Sequence, residues 1–398
     1  MSSEKEMANW CGMNDMARSH TKETQSASQD IAPVFDYTED DLDISKFPST
    51  RYRGSKRKIV PWLWDSFKEL DFASALDVFG GTASVSYLLK KMGKAVTYND
   101  YLHFNYLIGL ALVENDQTVL TKRDVAKALM PLPNGRSSNF VRETFKGIFF
   151  TDRENRWIDN VVARIGCIGN GSSELAYKRA LLSYGLFQSC LIKRPFNLFH
   201  RRNLYLRTAD VKRGFGNKTS WDRSFKSYFF SFCMEASDAV FKGAKPCRAT
   251  RFDAKDLPNK SYDLVYIDPP YLIKRGAGDN ETSDYRRSYH FLEGLCNYDS
   301  WDELIDYGTP NFRMKPQAND WANPEANSEA FDALFERFKR SIIVVSYKKF
   351  GTPSIDTLIR MFRRHGRKVQ SRSRHYKYAL NHQNGSAELN REVLLIAE

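Results

Sequence analysis

The stretch ALDVFGGTASVSYLLKKMGKAVTYND, residues 75–100, decides the fold. Ala75 to Phe79 is a short apolar run that stops at Gly80-Gly81, as a buried strand does. Val85, Leu88, Leu89 and Met92 then recur at helical spacing, and Gly93 ends the pattern. Ala95 to Tyr98 reads as a second strand, closed by Asn99-Asp100. Strand, glycine turn, helix, strand is a βαβ unit, which requires a parallel sheet.

Working outward, Ile59, Leu63 and Phe67 predict a helix with Pro61 in its first turn. From about His103 to Pro246 the alternation lapses into a segment rich in Arg, Lys and aromatics, helical over Tyr177 to Leu191. The βα pattern returns at Cys247. Arg248 to Phe252, Tyr262 to Ile267 and Ser341 to Tyr347 predict strands. Phe331 to Phe338 and Ile355 to Phe362 predict helices. Val369 to Leu380 and Glu392 to Ala397 flank a polar loop and predict a terminal antiparallel hairpin. The division expected is a flexible acidic tail over 1–48, a catalytic α/β domain over 49–104 and 247–398, and an inserted domain over 105–246.

The 398 residues are 42% hydrophobic and 27% charged, the balance of a globular chain. No apolar run reaches the ~18 residues of a membrane span, and the first ten residues hold no apolar stretch. A soluble, cytoplasmic protein is the expectation. The net charge is +12; residues 1–48 carry ten acids against four bases, a net −6, so the remaining chain holds +18. A body that basic attracts polyanions, nucleic acid first among them. Six scattered cysteines form no CxxC pair, which gives no support to a zinc site or a disulfide framework.

The sharpest chemical signal is Asp268-Pro269-Pro270-Tyr271, at the carboxyl end of an apolar strand, where open α/β sheets hold ligands. A carboxylate and a proline carbonyl can accept the two protons of an exocyclic amino group and draw its lone pair out of conjugation. The tyrosine can stack on the ring that carries the amine. A Pro-Pro turn that merely breaks the strand is the bland alternative. Asp77 to Ala83 is a glycine turn that admits close ligand approach. Asp100, one strand later, suits a ribose, or else caps a helix before Leu102. Arg51 to Lys56 is a basic turn leading into a helix.

The succession RYRGSK, DVFGGTASV, YND, FD and YIDPPY resembles the Dam-type family of DNA adenine-N6 methyltransferases. Tyr289 to Leu295, Asn297-Tyr298-Asp299 and the closing EVLLIAE are similar to members as well. The resemblance covers about 49–104 and 247–398, and the insert falls where the family keeps its target-recognition domain. It implies a Rossmann-like, S-adenosylmethionine-dependent methyltransferase sheet and a flipped adenine in duplex DNA as substrate. Position by position, it implies cofactor contacts from Tyr52, Gly54, Lys56, Asp77, Phe79, Gly80, Gly81, Asp100, Asp253 and Asp268. Catalysis falls to Asp268, Pro269, Pro270 and Tyr271, with no metal. Ala83 stands where a third glycine is common, and Tyr52 where many members have Trp.

Ten Lys/Arg against two acids between Lys193 and Lys226, interleaved with aromatics, then suit DNA phosphates. Lys193, Arg194, Arg201, Arg202 and Arg207 are the residues expected there. Partners expected are double-stranded DNA and a separately acting restriction endonuclease, with the protein nucleoid-associated. Cytosine N4, RNA adenine or a glutamine amide are alternative acceptors of the same chemistry, and a catalytically inactive DNA-binding subunit is the alternative of another class. Asp as the first residue of the motif favours adenine.

Overall fold

The computed structural model describes residues 43, 47–132, 138–169, 171–200, 204–209, 218–272, 284–376 and 391–398. Apart from Asp43, Phe47 and Pro48, the expected acidic tail lies outside them. Residues 40–398 form one compact unit.

Its centre is a seven-stranded sheet: β1 (Ser74–Asp77), β2 (Ala95–Asn99), β3 (Arg248–Thr250), β4 (Leu264–Ile267), β5 (Ile342–Lys348), β6 (Val369–His375) and β7 (Arg391–Ala397). The order is β3-β2-β1-β4-β5-β7-β6. The first five strands are parallel, and β7 runs antiparallel between β5 and β6. Every strand expected from the sequence is present. The terminal hairpin differs in one respect: β7 is interior to the sheet, with a ladder on each side. Its burial explains its unbroken apolar run, Val393 to Ala397.

Helix α1 (Val60–Lys68) begins with Pro61 in its first turn, as expected. Helix α2 (Ser84–Lys91) makes the β1–β2 crossover, and α3 (His103–Gly109) follows β2. In the insert, α4 (Asp152–Gly166), α5 (Ser173–Ile192) and α6 (Phe225–Asp238) are the longer helices. Among the described residues of 105–246 there is no strand, which agrees with a mainly helical insert. Helix α5 packs on both α3 and α6, so these helices are continuous with the layer that covers the sheet. A β-carbon on Gly185 would lie 2.3 Å from Cys233 Sγ, so the α5–α6 approach requires glycine there. Helices α7 (His290–Cys296), α8 (Asn327–Arg337) and α9 (Ile355–Arg364) complete the set used below.

Strand side chains alternate faces. Leu76, Val265, Ile267, Ile343, Val345, Val393 and Leu395 bury one face under Phe331, Phe335, Leu358 and Phe362 of α8 and α9. The positions between them, Asp77, Tyr266, Ser346 and Glu392, therefore rise on the other face. There Phe67 of α1 meets the Tyr266 ring edge-on. The alternation that builds the core also brings polar groups from four strands to one side of one sheet edge.

Candidate active site

The glycine turn after β1 is held from beneath by Tyr98. Its ring lies where a β-carbon on Gly80 or on Gly109 would come within 2.1 and 2.3 Å respectively, so both must be glycine. Its hydroxyl lies 2.8 Å from the Gly81 carbonyl and 2.9 Å from that of Asn105, its one proton shared between them. Gly81 has φ +49° and Ala83 φ +62°. Ala83 thus adopts the left-handed conformation that the resemblance assigns to glycine, at a cost of ~1 kcal/mol.

Asp77, at the end of β1, is buried. Ser86 of α2 donates to one of its oxygens at 2.7 Å, and the other, Oδ1, has no partner. Burial pushes this carboxyl up to about 7, against the pull of the Ser86 bond. Asp100 is also buried and is raised to about 7 by desolvation, although three donors oppose the shift. Leu102 N reaches Oδ1 at 2.9 Å; Gly81 N and Asn105 Nδ2 reach Oδ2 at 2.9 and 3.1 Å. It joins the two turns at the strand ends and does not cap α3, whose N-cap is Leu102 and whose His103 and Phe104 amides donate to Glu293.

Asp268 ends β4 on the same face as Asp77. Lys56 Nζ lies 2.8 Å from Asp268 Oδ1 and 3.1 Å from Glu392 Oε1. The Tyr271 hydroxyl donates to Asp268 Oδ1 at 2.7 Å and lies 2.9 Å from Glu392 Oε1. Both Asp268 bonds fall on a single oxygen. Burial raises Asp268 to about 6; Lys56 pulls it down and Glu392 pushes it up. Burial alone would lower the Lys56 ammonium, but the two carboxylates hold it above its ordinary value. Lys56 therefore belongs with the Asp-Pro-Pro-Tyr motif. The Tyr271 ring packs edge-on against Tyr347, centroids 5.4 Å apart.

Tyr52 stacks on Tyr289 at 4.5 Å and on Tyr285 at 5.3 Å. Tyr289 OH in turn accepts from Arg53 N at 2.7 Å. Gly54, with φ +83°, turns the chain beside the Tyr285 hydroxyl. Tyr52, Gly54, Lys56, Asp77, Phe79, Gly80, Gly81, Asp100 and all of Asp268 to Tyr271 line one cleft. Asp253 lies instead on an adjoining hollow, walled by Phe79, Tyr101, Phe252 and Trp321. Phe79, Tyr101 and Pro270 are common to both walls.

Three of the basic residues assigned to DNA are corrected. Lys193 is buried, 3.3 Å from Glu154 and bonded to the Trp221 carbonyl at 2.6 Å. Arg194 is buried with its guanidinium 4.7 Å over the Phe149 ring, and burial pushes it down to about 9. Arg207 makes two 2.7 Å bonds to Glu154. Charges used inside the helical layer are not offered to phosphates. Arg201 and Arg202 lie outside the described residues. The sequence reading gave no role to Tyr98, Asn105, Tyr285, Tyr289 or Glu392, although Tyr289 and Glu392 open two of the segments that carry the family resemblance. The alternation along β7 could have flagged Glu392, had its pairing with β5 been known.

A parallel sheet with β7 inserted antiparallel, a glycine turn after β1 and Asp-Pro-Pro-Tyr after β4 defines a Rossmann-like methyltransferase. Residues 52–348 match the D12 class N6 adenine-specific DNA methyltransferases, and the chain belongs to that family. It is 28% identical over 332 residues to the type II methyltransferase M2.HphI of Haemophilus parahaemolyticus, covering 81% of this chain and 90% of that one. It is 24% identical over 340 residues to the type II methyltransferase M.NlaIII of Neisseria lactamica, covering 82% and 92%. M.FokI of Planomicrobium okeanokoites is 23% identical over 384 residues, 87% of this chain and 52% of that one. The protein is an adenine-specific DNA methyltransferase. Among the described residues, no helix is long and apolar enough to cross a membrane.

Proposed function

We propose that the protein transfers the methyl group of S-adenosylmethionine to N6 of an adenine turned out of duplex DNA, as the modification enzyme of a restriction–modification pair. The observation that carries this is the shared cleft: the glycine turn and Asp268 open on the same space. The residues fit the cofactor. The unpartnered Asp77 Oδ1 beneath the turn suits an ammonium group, and the aromatic cavity beside Asp253 suits an adenine ring. Asp100 would accept from ribose hydroxyls, with Tyr52, Gly54, Phe79, Gly80 and Gly81 shaping the wall. Bound there, the cofactor supplies a methyl group on a sulfonium, already a good leaving group.

Asp268, through the oxygen not taken by Lys56 and Tyr271, accepts one amino proton of the extruded base. The Pro269 carbonyl accepts the other. The nitrogen lone pair is thereby turned toward the methyl group, and alignment supplies most of the acceleration. As N–C forms and C–S breaks, positive charge appears on nitrogen, and its surplus proton leaves by way of Asp268.

DNA lies across the carboxyl edge of the sheet. Arg53 and Arg286 line the clefts, and exposed Arg251 and Lys349 follow β3 and β5 there. The insert 105–246 reads the target. Phe196, 55% exposed with a left-handed backbone, is its candidate for stacking on bases. The endonuclease acts separately, and both work in the cytoplasm on the nucleoid.

Asp268→Ala tests the assignment. Loss of one preorganised partner should lower the single-turnover rate at saturating cofactor at least ~100-fold, with duplex binding intact. Near wild-type methylation by this variant would sink the proposal.

A further inference from the structure

Glu392 is the second residue of β7. Because β7 runs antiparallel beside β5, Glu392 lies opposite Lys348, level with the ends of the parallel strands. Its side chain is fully buried. A buried carboxylate is retained where its partners satisfy it, and three converge on its Oε1: Ser346 Oγ at 2.6 Å, Tyr271 OH at 2.9 Å and Lys56 Nζ at 3.1 Å. Two of those three also hold Asp268.

We infer that Glu392 is a positioning residue for methyl transfer, sharing the Lys56 ammonium and the Tyr271 hydroxyl with Asp268 so that Lys56 does not neutralise Asp268 alone and the cluster facing the substrate amine keeps a net negative charge. The inference rests on the methyl-transfer reading. With Asp268 alone, Lys56 would form a neutral pair, and the acceptor would be weakened as positive charge grows on the amine. Two carboxylates on one ammonium leave the cluster at −1, the sign that favours the developing charge. Ser346 fixes Glu392 from β5, and Tyr271 is tied at its hydroxyl.

The test is the pH dependence of kcat at saturating DNA and cofactor. Asp268 faces Lys56 from the turn before α1, Glu392 from β7, Asp77 from β1, and the phenols of Tyr266, Tyr271, Tyr285 and Tyr376. Of these, Glu392 raises its pKa. Glu392→Gln keeps the shape and removes the charge. Asp268 should then titrate lower, moving the acid limb down by about 0.5 pH unit or more, while kcat falls about tenfold and KM for DNA stays within about twofold. Glu392→Asp keeps the charge but withdraws it by one methylene. It should hold the acid limb in place and still lower kcat severalfold. An unmoved limb with wild-type kcat in folded Glu392→Gln overturns the inference, as does wild-type kcat in Glu392→Asp should the first variant not fold. A wild-type protein that fails to methylate DNA contradicts the functional reading itself, a separate outcome.

Discussion

Asp100 shows how one carboxylate serves the fold and the ligand together. It holds Gly81 N and Leu102 N, so two turns depend on it before any cofactor arrives. Charge-assisted bonds to ribose hydroxyls are worth roughly 1.5–3 kcal/mol. Asp100→Ala should therefore weaken S-adenosylmethionine binding by about one to two decades in titration calorimetry. The melting temperature should fall as well, because two backbone donors lose their acceptor. Wild-type cofactor affinity with a lowered melting temperature would leave Asp100 a tie between the two turns alone.

The helical layer of the insert separates structural charge from binding charge. Glu154 of α4 gathers Lys193 and Arg207 into one buried cluster. Arg207→Ala strands part of that charge and should destabilise the fold by about 3 kcal/mol, read by chemical denaturation, with the salt dependence of DNA binding unchanged. Arg251→Ala, on the exposed edge after β3, should do the reverse. It should leave stability alone and flatten the log–log salt slope by about 0.9 if it meets one phosphate. A flattened slope in Arg207→Ala would return that residue to the DNA face. The sequence made the elements legible because period and punctuation are local: the run to Gly80-Gly81, the helical spacing after it, and Asp268 closing β4. It did not make legible which charges are internal, since Lys193 and Arg207 look like any basic residue until Glu154, far off in sequence, folds against them. Glu392 was hidden for the same reason. Its strand was evident, but its neighbours, Lys56 and Tyr271, come from segments more than 120 positions away.

Taken whole, the molecule concentrates uncompensated acid at its ligand cleft. Asp77 and Asp100 both rise on folding from the ordinary carboxyl value of 3.8 to about 7. Such groups contribute stability that is complete below pH 4 and is lost as pH climbs through 7. The protein without cofactor should therefore melt lower at pH 8 than at pH 5.5 on their account. Asp77→Asn should shrink that difference in scanning fluorimetry, and an undiminished difference would show that Asp77 ionises normally in the fold. At this same scale stands the reaction. Incubating the protein with duplex DNA and methyl-labelled S-adenosylmethionine, then digesting the DNA to nucleosides, identifies the acceptor atom directly. The account predicts label in N6-methyl-2′-deoxyadenosine; label in N4-methyl-2′-deoxycytidine, or none in DNA while the cofactor is bound, would contradict it.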